Sequence, residues 1–209
     1  MQETKQFPLI SGNLSLDLVN TELVRRGQRY DLLITDEDVL EWLHVIKANL
    51  PFWNEKTLIG IQERVNQVTS SILEVREVLR KQFEAIADLH EISNDFIAYL
   101  EKQIEKAPFT YKVIEQRLVP IPAGEIEDVL VSLIAFDALT LIAENKLISL
   151  KRCSNPDCVL LFIDKSGKRK WCSMKICGNR KKQQNFRFEN LKRFRNQLIA
   201  VDSFFVSFN

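Results

Sequence analysis

The chain has 209 residues, of which 45% are hydrophobic and 27% are charged. These are the proportions of an ordinary soluble protein, and the densest apolar run, Val129 to Phe136, is too short to span a bilayer. The net charge of +1 hides a strong asymmetry, since residues 1–150 carry a net charge of −9 and residues 151–209 a net charge of +10. An acidic body with a basic end is typical of a protein that presents the basic face to a polyanion.

The first part of the chain is predicted to be helical. Leu14, Leu18 and the set Val19, Leu23 and Val24 recur at helical spacing, which predicts a helix that ends at Gly27. Thr35 followed by Asp38 forms a capping-box pattern and predicts the start of a second helix.

A longer apolar stripe follows, with steps of three and four residues from Leu58 to Leu79 and an extension to Phe83 and Ile86. This pattern fits either a coiled-coil dimer seam or an intramolecular bundle seam. We favour the bundle, because that is the commoner use of such a stripe.

Two further elements complete the predicted helical domain. Phe109, Tyr111 and Val113 alternate with polar residues, which predicts a short strand before a break at residues 120–124. The segment from Glu125 to Leu147 is apolar on nearly all sides and predicts a central, buried helix. It leads into the next segment without a Gly/Ser linker, so we expect a rigid connection.

All four cysteines lie within 25 residues, at positions 153, 158, 172 and 177. Two close pairs of thiols separated by a short spacer predict a tetrahedral structural zinc site. Two disulfides are the alternative, but the N-terminal residues show no secretory leader, so we expect a cytoplasmic protein with reduced cysteines. The expected cofactor is one zinc per chain, with the ligands Cys153, Cys158, Cys172 and Cys177.

The residues between the cysteine pairs predict a β-hairpin, with strands at 159–163 and 168–171 around the turn Asp164–Gly167. A helix is predicted to begin at or just after Cys177. A hairpin followed by ligands at a helix start is a treble-clef-like order. Because sulfur fills all four metal positions, no site remains for an activated water, and zinc catalysis is disfavoured.

At this point the chain resembles a known family. The pattern Cys153-x4-Cys158, then residues 161–166, then Trp171 to Arg180 with Cys-Gly-Asn-Arg at its end, resembles the CGNR zinc finger. Upstream, residues 12–21 resemble the opening motif of the ABATE domain. The resemblance implies a bacterial, proposed stress-induced transcription regulator, with DNA binding by the finger and an unknown sensing role for the helical domain.

Clustered Lys and Arg side chains around the cysteines are predicted to bind nucleic acid, because they can pair with phosphates and Arg can read guanine. Each one alone is more often a solvated surface charge. The predicted nucleic-acid-binding residues are Lys165, Lys168, Arg169, Lys170, Lys175, Arg180, Lys181, Lys182 and Arg187.

A second candidate site lies in the N-terminal motif. Asp17, Asn20 and Thr21 share one helical face beside apolar neighbours, and Arg25 follows. The set predicts either a small-ligand pocket or interhelical hydrogen bonds, of which we favour the bonds. His44 and His90 are isolated, and the sequence contains no arrangement typical of an enzyme.

The predicted fold class is therefore mainly α, with an N-terminal helical bundle and a C-terminal treble-clef-like four-cysteine zinc finger. The predicted boundaries are 1–150 for the helical sensor or dimerisation domain, 151–195 for the finger and 196–209 for an apolar tail. The leading hypothesis is a DNA-binding transcription regulator with no membrane association, possible homodimerisation and an unknown small-molecule effector. The alternatives are an RNA-binding or ribosome-associated protein, or a protein-interaction module with a purely structural zinc.

Overall fold

The computed structural model of the protein describes residues 5–25, 27–50, 53–114 and 116–179. Within them the fold is mainly α, as predicted, and the described part as far as Lys170 forms one compact unit, with a second unit beginning at Trp171. The α-helices are α1 (Leu14–Val19), α2 (Asp36–Ile46), α3 (Glu55–Glu63), α4 (Val65–Leu89), α5 (Asn94–Lys106) and α6 (Ile126–Ala143). The strands form three antiparallel pairs, β1 (Glu22–Arg25) with β2 (Gln28–Asp31), β3 (Phe109–Ile114) with β4 (Arg117–Pro122), and β5 (Leu150–Arg152) with β6 (Leu161–Ile163).

The prediction that the first helix continues to Gly27 is wrong. Helix α1 ends at Val19, and the next residues form the β1–β2 hairpin, in which Leu23 pairs with Tyr30. The Thr21 hydroxyl donates to the Leu18 carbonyl at 2.7 Å and so occupies an acceptor at the end of the helix. Gly27 has a φ of +77°, a left-handed conformation that suits the tight turn between β1 and β2.

The capping box at the start of α2 is confirmed. The Thr35 hydroxyl accepts a hydrogen bond from the Asp38 backbone N–H, and the Asp38 carboxylate accepts one from the Thr35 N–H at 3.0 Å. The Asp38 carboxylate also contacts the Lys5 ammonium. Side chains therefore satisfy the N–H of Asp38 in the first turn of α2 and the N–H of Thr35 just before it.

The long apolar stripe lies on two helices rather than one, because the chain turns at Arg64, where φ is −120° and ψ is 28°. Helix α4 buries its share of the stripe inside the chain, where it packs against α1, α2 and α6. The stripe is thus an intramolecular seam, as favoured above. Its fully buried members are Ile61 on α3 and Val68, Ile72, Val75, Leu79, Phe83 and Ile86 on α4.

Helix α6 is the central helix predicted from its apolar sequence. It is buried on several sides and packs against α5, α4 and α1. Just before it, Phe109–Ile114 forms the predicted strand, but Pro120 lies inside the partner strand β4 rather than in a break. Proline is tolerated there because β4 belongs to a two-stranded sheet with a free edge.

The predicted hairpin between residues 159–163 and 168–171 is wrong in its pairing. Strand β6 pairs with β5, which precedes the first cysteine, so that Leu150 lies opposite Ile163. The 168–170 segment instead bonds to other partners, since the Arg169 N–H donates to the Asp164 carboxylate at 3.0 Å and the Lys170 carbonyl accepts from the Ser154 N–H at 2.9 Å.

None of the helices in the described ranges is both long and apolar enough to cross a bilayer.

Candidate functional site

Four cysteine side chains come together, although they are up to 24 residues apart in the chain. Their sulfur atoms all lie within 4.8 Å of one another. Cys153, Cys172 and Cys177 are buried and Cys158 is half-buried. Four thiolates bound to one zinc at about 2.3 Å would lie roughly 3.8 Å apart, so the donor set fits a closed tetrahedral site with no coordination position left for water.

The first pair of ligands sits in the loop that connects β5 to β6. The Cys153 N–H donates to the Leu160 carbonyl at 3.2 Å, which continues the ladder beyond β5 and closes the loop. Within it, the Asn155 side chain accepts from the Asp157 N–H at 3.1 Å and forms a tight turn across Pro156. The strand pair therefore holds both thiols at its end.

Of the second pair, Cys172 precedes a short π-helical turn, Met174–Gly178, and Cys177 lies within that turn. Ser173 caps this turn, because its hydroxyl accepts from the Ile176 N–H at 3.0 Å and its carbonyl accepts from the Cys177 N–H at 3.1 Å. A Cβ atom at Gly178 would lie 2.5 Å from the Met174 sulfur, so a larger residue would require Met174 to move. The helix predicted after Cys177 falls on residues from 180 onward, which lie outside the described part of the chain.

The turn after β6 is organised by a buried carboxylate, Asp164, whose central role the sequence did not indicate. Its oxygens accept from the Lys151 ammonium at 2.8 Å, from the Ser166 N–H and hydroxyl, and from the Arg169 N–H. The Lys151 hydrogen bond is the main reason that the pKa of Asp164 lies far below its ordinary value. A charged carboxylate therefore fixes the backbone of residues 164–169.

We call residues 165–170 the basic loop. In it Lys165, Lys168 and Lys170 are exposed and Arg169 is half-buried. The Arg169 guanidinium lies over the Phe162 ring, 4.5 Å from its centroid. Among the described residues, none of the three exposed lysines has an ion-pair partner.

Of the other predicted nucleic-acid-binding residues, the structure describes Lys175 alone. Lys175 is exposed on the π-helical turn. Two basic residues that precede the cysteines form ion pairs with other parts of the chain, since Lys151 pairs with Asp164 and Arg152 pairs with Asp88 at 2.7 Å. Outside the described residues lie Arg180, Lys181, Lys182, Arg187 and the apolar tail 196–209.

The polar set of the N-terminal motif makes hydrogen bonds within the protein. Asp17 accepts from the Ser11 N–H and hydroxyl and from the Gly12 N–H, and burial raises the pKa of its carboxyl. Asn20 bonds both backbone groups of Leu161. The Thr21 hydroxyl accepts from Arg76 at 2.9 Å. The side chain of Arg25 lies outside what the structure describes.

Two buried arginines of α4 were not identified from the sequence. Arg76 holds Thr21 and, through a bidentate pair at 2.6 Å, Asp31. Arg80 donates to the Val19 carbonyl and, at 2.8 Å, to the Val159 carbonyl, and burial lowers its pKa. The sequence did indicate them, because two charged residues lie beside the apolar stripe of α4 and buried charges need partners.

Comparison with known families agrees with this geometry. A family model described as "CGNR zinc finger" matches residues 149–188, and one described as ABATE, "Putative stress-induced transcription regulator", matches residues 12–145. Both are regulator or zinc-finger types rather than enzymes. A search of curated proteins gave no match. The two resemblances noted in the sequence are confirmed, the four cysteines are those of one structural zinc site, and the chain belongs to the ABATE family and carries a CGNR zinc finger.

Proposed function

We propose that the protein is a transcription regulator that binds DNA through the basic residues of its zinc finger, and that it has no catalytic activity. The observation that carries the proposal is the basic loop. It contains three exposed lysines that form no ion pair within the described chain, and hydrogen bonds to the Asp164 carboxylate fix its backbone. A fixed loop loses less conformational entropy when it meets a phosphate backbone than a mobile one.

The charge distribution supports the same surface. Residues 1–150 carry a net charge of −9 and repel a polyanion, whereas residues 151–209 carry +10. Lys151 and Arg152 use their charges within the protein. The basic loop, Lys175 and the basic residues after position 179 are therefore the groups proposed to meet phosphates.

The test is the salt dependence of binding to duplex DNA, followed by fluorescence anisotropy. If about five phosphates are neutralised, the slope of log affinity against log salt should be roughly −4 to −5. A variant with Arg169, Lys170, Arg180 and Lys181 changed to Ala should bind more weakly and flatten that slope by about 3 to 4, with zinc retained.

A matched control removes four positive charges from the acidic body instead. Lys56, Lys81, Lys102 and Lys112 are all exposed, and their change to Ala should leave affinity and slope unchanged. If the first variant keeps wild-type affinity and slope, the nucleic-acid surface lies elsewhere. If the wild-type protein binds structured RNA but no duplex DNA, the RNA-binding alternative replaces the proposal.

A further inference from the structure

A cavity of about 380 Å³ lies between two loops of the first compact unit. One wall is the segment before α1, with Ser11 and Asn13, and the other is the turn after β6, with Lys165, Ser166 and Arg169. Lys146, which follows α6, completes the side. Cavities of this size fall at the lower end of the range for small-molecule sites.

Both walls are held in place by buried carboxylates. On one side Asp17 accepts hydrogen bonds from Ser11 and from the N–H of Gly12, whose φ of +71° allows the loop to turn. On the other side Asp164 ties down Ser166 and Arg169. The cavity is thus preformed, which reduces the entropic cost of binding a ligand.

The charges on the lining favour an anion. Lys146, Lys165 and Arg169 face the cavity, and Asp164 is the one carboxylate among the lining residues. The Asp164 charge is already balanced by Lys151, which lies 2.8 Å away. Lys146 contacts Glu144, whereas the Lys165 ammonium has no carboxylate partner in the described part of the chain.

Two lining groups also lack partners in the described part of the chain. The Lys165 ammonium makes no ion pair or hydrogen bond there, and neither does the side-chain amide of Asn13. Asn13 is the N-cap residue of α1, but its side chain does not bond to the helix. An ammonium and an amide that face the same small cavity from opposite walls can bind one carboxylate or phosphate group together. Ile10 and Ile163 add an apolar patch to the lining.

We propose that this cavity binds a small organic anion, a carboxylate or a phosphate monoester, through Lys165, Arg169 and Asn13. None of the four residues predicted as a ligand pocket from the sequence lines it, although Asp17 shapes one wall.

The site has a regulatory consequence that rests on the proposed function. Lys165 and Arg169 belong both to this cavity and to the basic loop proposed to contact DNA. An anion in the cavity neutralises these charges, so its binding antagonises nucleic-acid binding. The cavity is then the effector site of the regulator.

Binding is tested first without nucleic acid, on the zinc-loaded full chain. Inorganic phosphate, glycerol 3-phosphate and succinate are titrated at constant ionic strength and followed by amide chemical shifts. At least one probe should saturate, with shifts concentrated at residues 10–13 and 163–169. Lys165→Ala should lower the affinity for that probe by about tenfold or more. Lys168→Ala, an equally exposed lysine on the same loop that does not line the cavity, should not. No saturable binding, or equal weakening by both changes, overturns the site.

The second test asks whether anion binding and DNA binding exclude each other. The variant Asn13→Asp places a negative charge in the cavity, away from the basic loop, and Asn94→Asp is the control at an exposed position. The saturating probe should displace duplex DNA from the wild type and from Asn94→Asp but not from Asn13→Asp. Probe binding without displacement overturns the antagonism alone. If the wild type binds no DNA, the proposed function fails, while the titration still decides the anion site.

Discussion

Asn20 at the end of α1 hydrogen-bonds both backbone groups of Leu161 in β6, 141 residues further along the chain. Its amide nitrogen donates to the Leu161 carbonyl at 3.0 Å, and its amide oxygen accepts from the Leu161 N–H at 2.9 Å. Both residues are fully buried. A side chain of the ABATE domain thus takes the place of a neighbouring strand beside β6, which lies between the two cysteine pairs.

Replacing Asn20 by Ala should destabilise the protein strongly, because the Leu161 N–H and carbonyl would remain buried without partners. The expected cost is about 1–3 kcal/mol for each group left unsatisfied. Urea denaturation measures it, and the Leu161 amide should lose hydrogen-exchange protection. Asn94→Ala, at an exposed position, is the control. An Asn20→Ala protein as stable as the control would show that water replaces the clamp.

The ion pair between the buried Arg76 and the half-buried Asp31 should stabilise the folded protein, and the two side chains should be energetically coupled. Arg76→Met removes one donor from the Thr21 hydroxyl and the guanidinium from the Asp31 carboxylate, which keeps its hydrogen bond from the Leu33 N–H. Because Asp31 is also 35% exposed and can turn to water, the loss should be about 2 kcal/mol, below that of a fully buried pair. A double-mutant cycle with Asp31→Asn should give a coupling energy of roughly 1–2 kcal/mol. Lys81→Met, exposed on the same helix, is the control. Strict additivity would show that the two side chains act independently.

The ion pair of Arg64 and Glu127 should make stability depend on pH. Hydrogen bonds from Arg64 hold the pKa of Glu127 below its ordinary value of 4.5. A lowered carboxyl pKa stabilises the folded state above the ordinary pKa, and that contribution is lost as the pH falls through the lowered value. Because Arg64 is 41% exposed, we expect Glu127→Gln to cost only about 0.5–1 kcal/mol at pH 7.

The same difference should shrink as the pH is lowered below about 4.5. Denaturant unfolding of the wild type and the variant between pH 7 and pH 3 measures this, and zinc loss at low pH affects both proteins alike. Glu101→Gln, at an exposed position without an ion pair in the described chain, should show little difference at any pH. A cost for Glu127→Gln that is the same at pH 3 as at pH 7 would contradict the assignment.

Elemental analysis should find one zinc per chain. Cys172→Ser or Cys177→Ser should abolish stoichiometric zinc and unfold mainly the finger, because so small a module cannot bury a core of its own. Far-ultraviolet circular dichroism should retain most of the helical signal of α2 to α6. Ser154→Ala, between the first two ligands and exposed, should keep the metal. Metal-free protein with four oxidised cysteines would contradict the zinc site.

Local patterns in the sequence were sufficient for the features that depend on neighbouring residues. The four cysteines predicted the metal site because ligand type and spacing define it. The Thr35 and Asp38 pair predicted the start of α2, and the apolar segment from Glu125 to Leu147 predicted α6, because capping and periodicity are properties of a few turns of chain.

Tertiary structure decided the features that depend on partners distant in the chain. The sequence could not show that β6 pairs with β5, or that Asn20 bonds Leu161, since strand pairing is selected by the whole core. Nor could it show that Asp164, Lys165 and Asn13 meet around one cavity, because their approach requires α1, α6 and β6 to pack first. Charges and polar groups can be read from the sequence, but whether each faces water, a buried partner or a shared cavity is set by the fold.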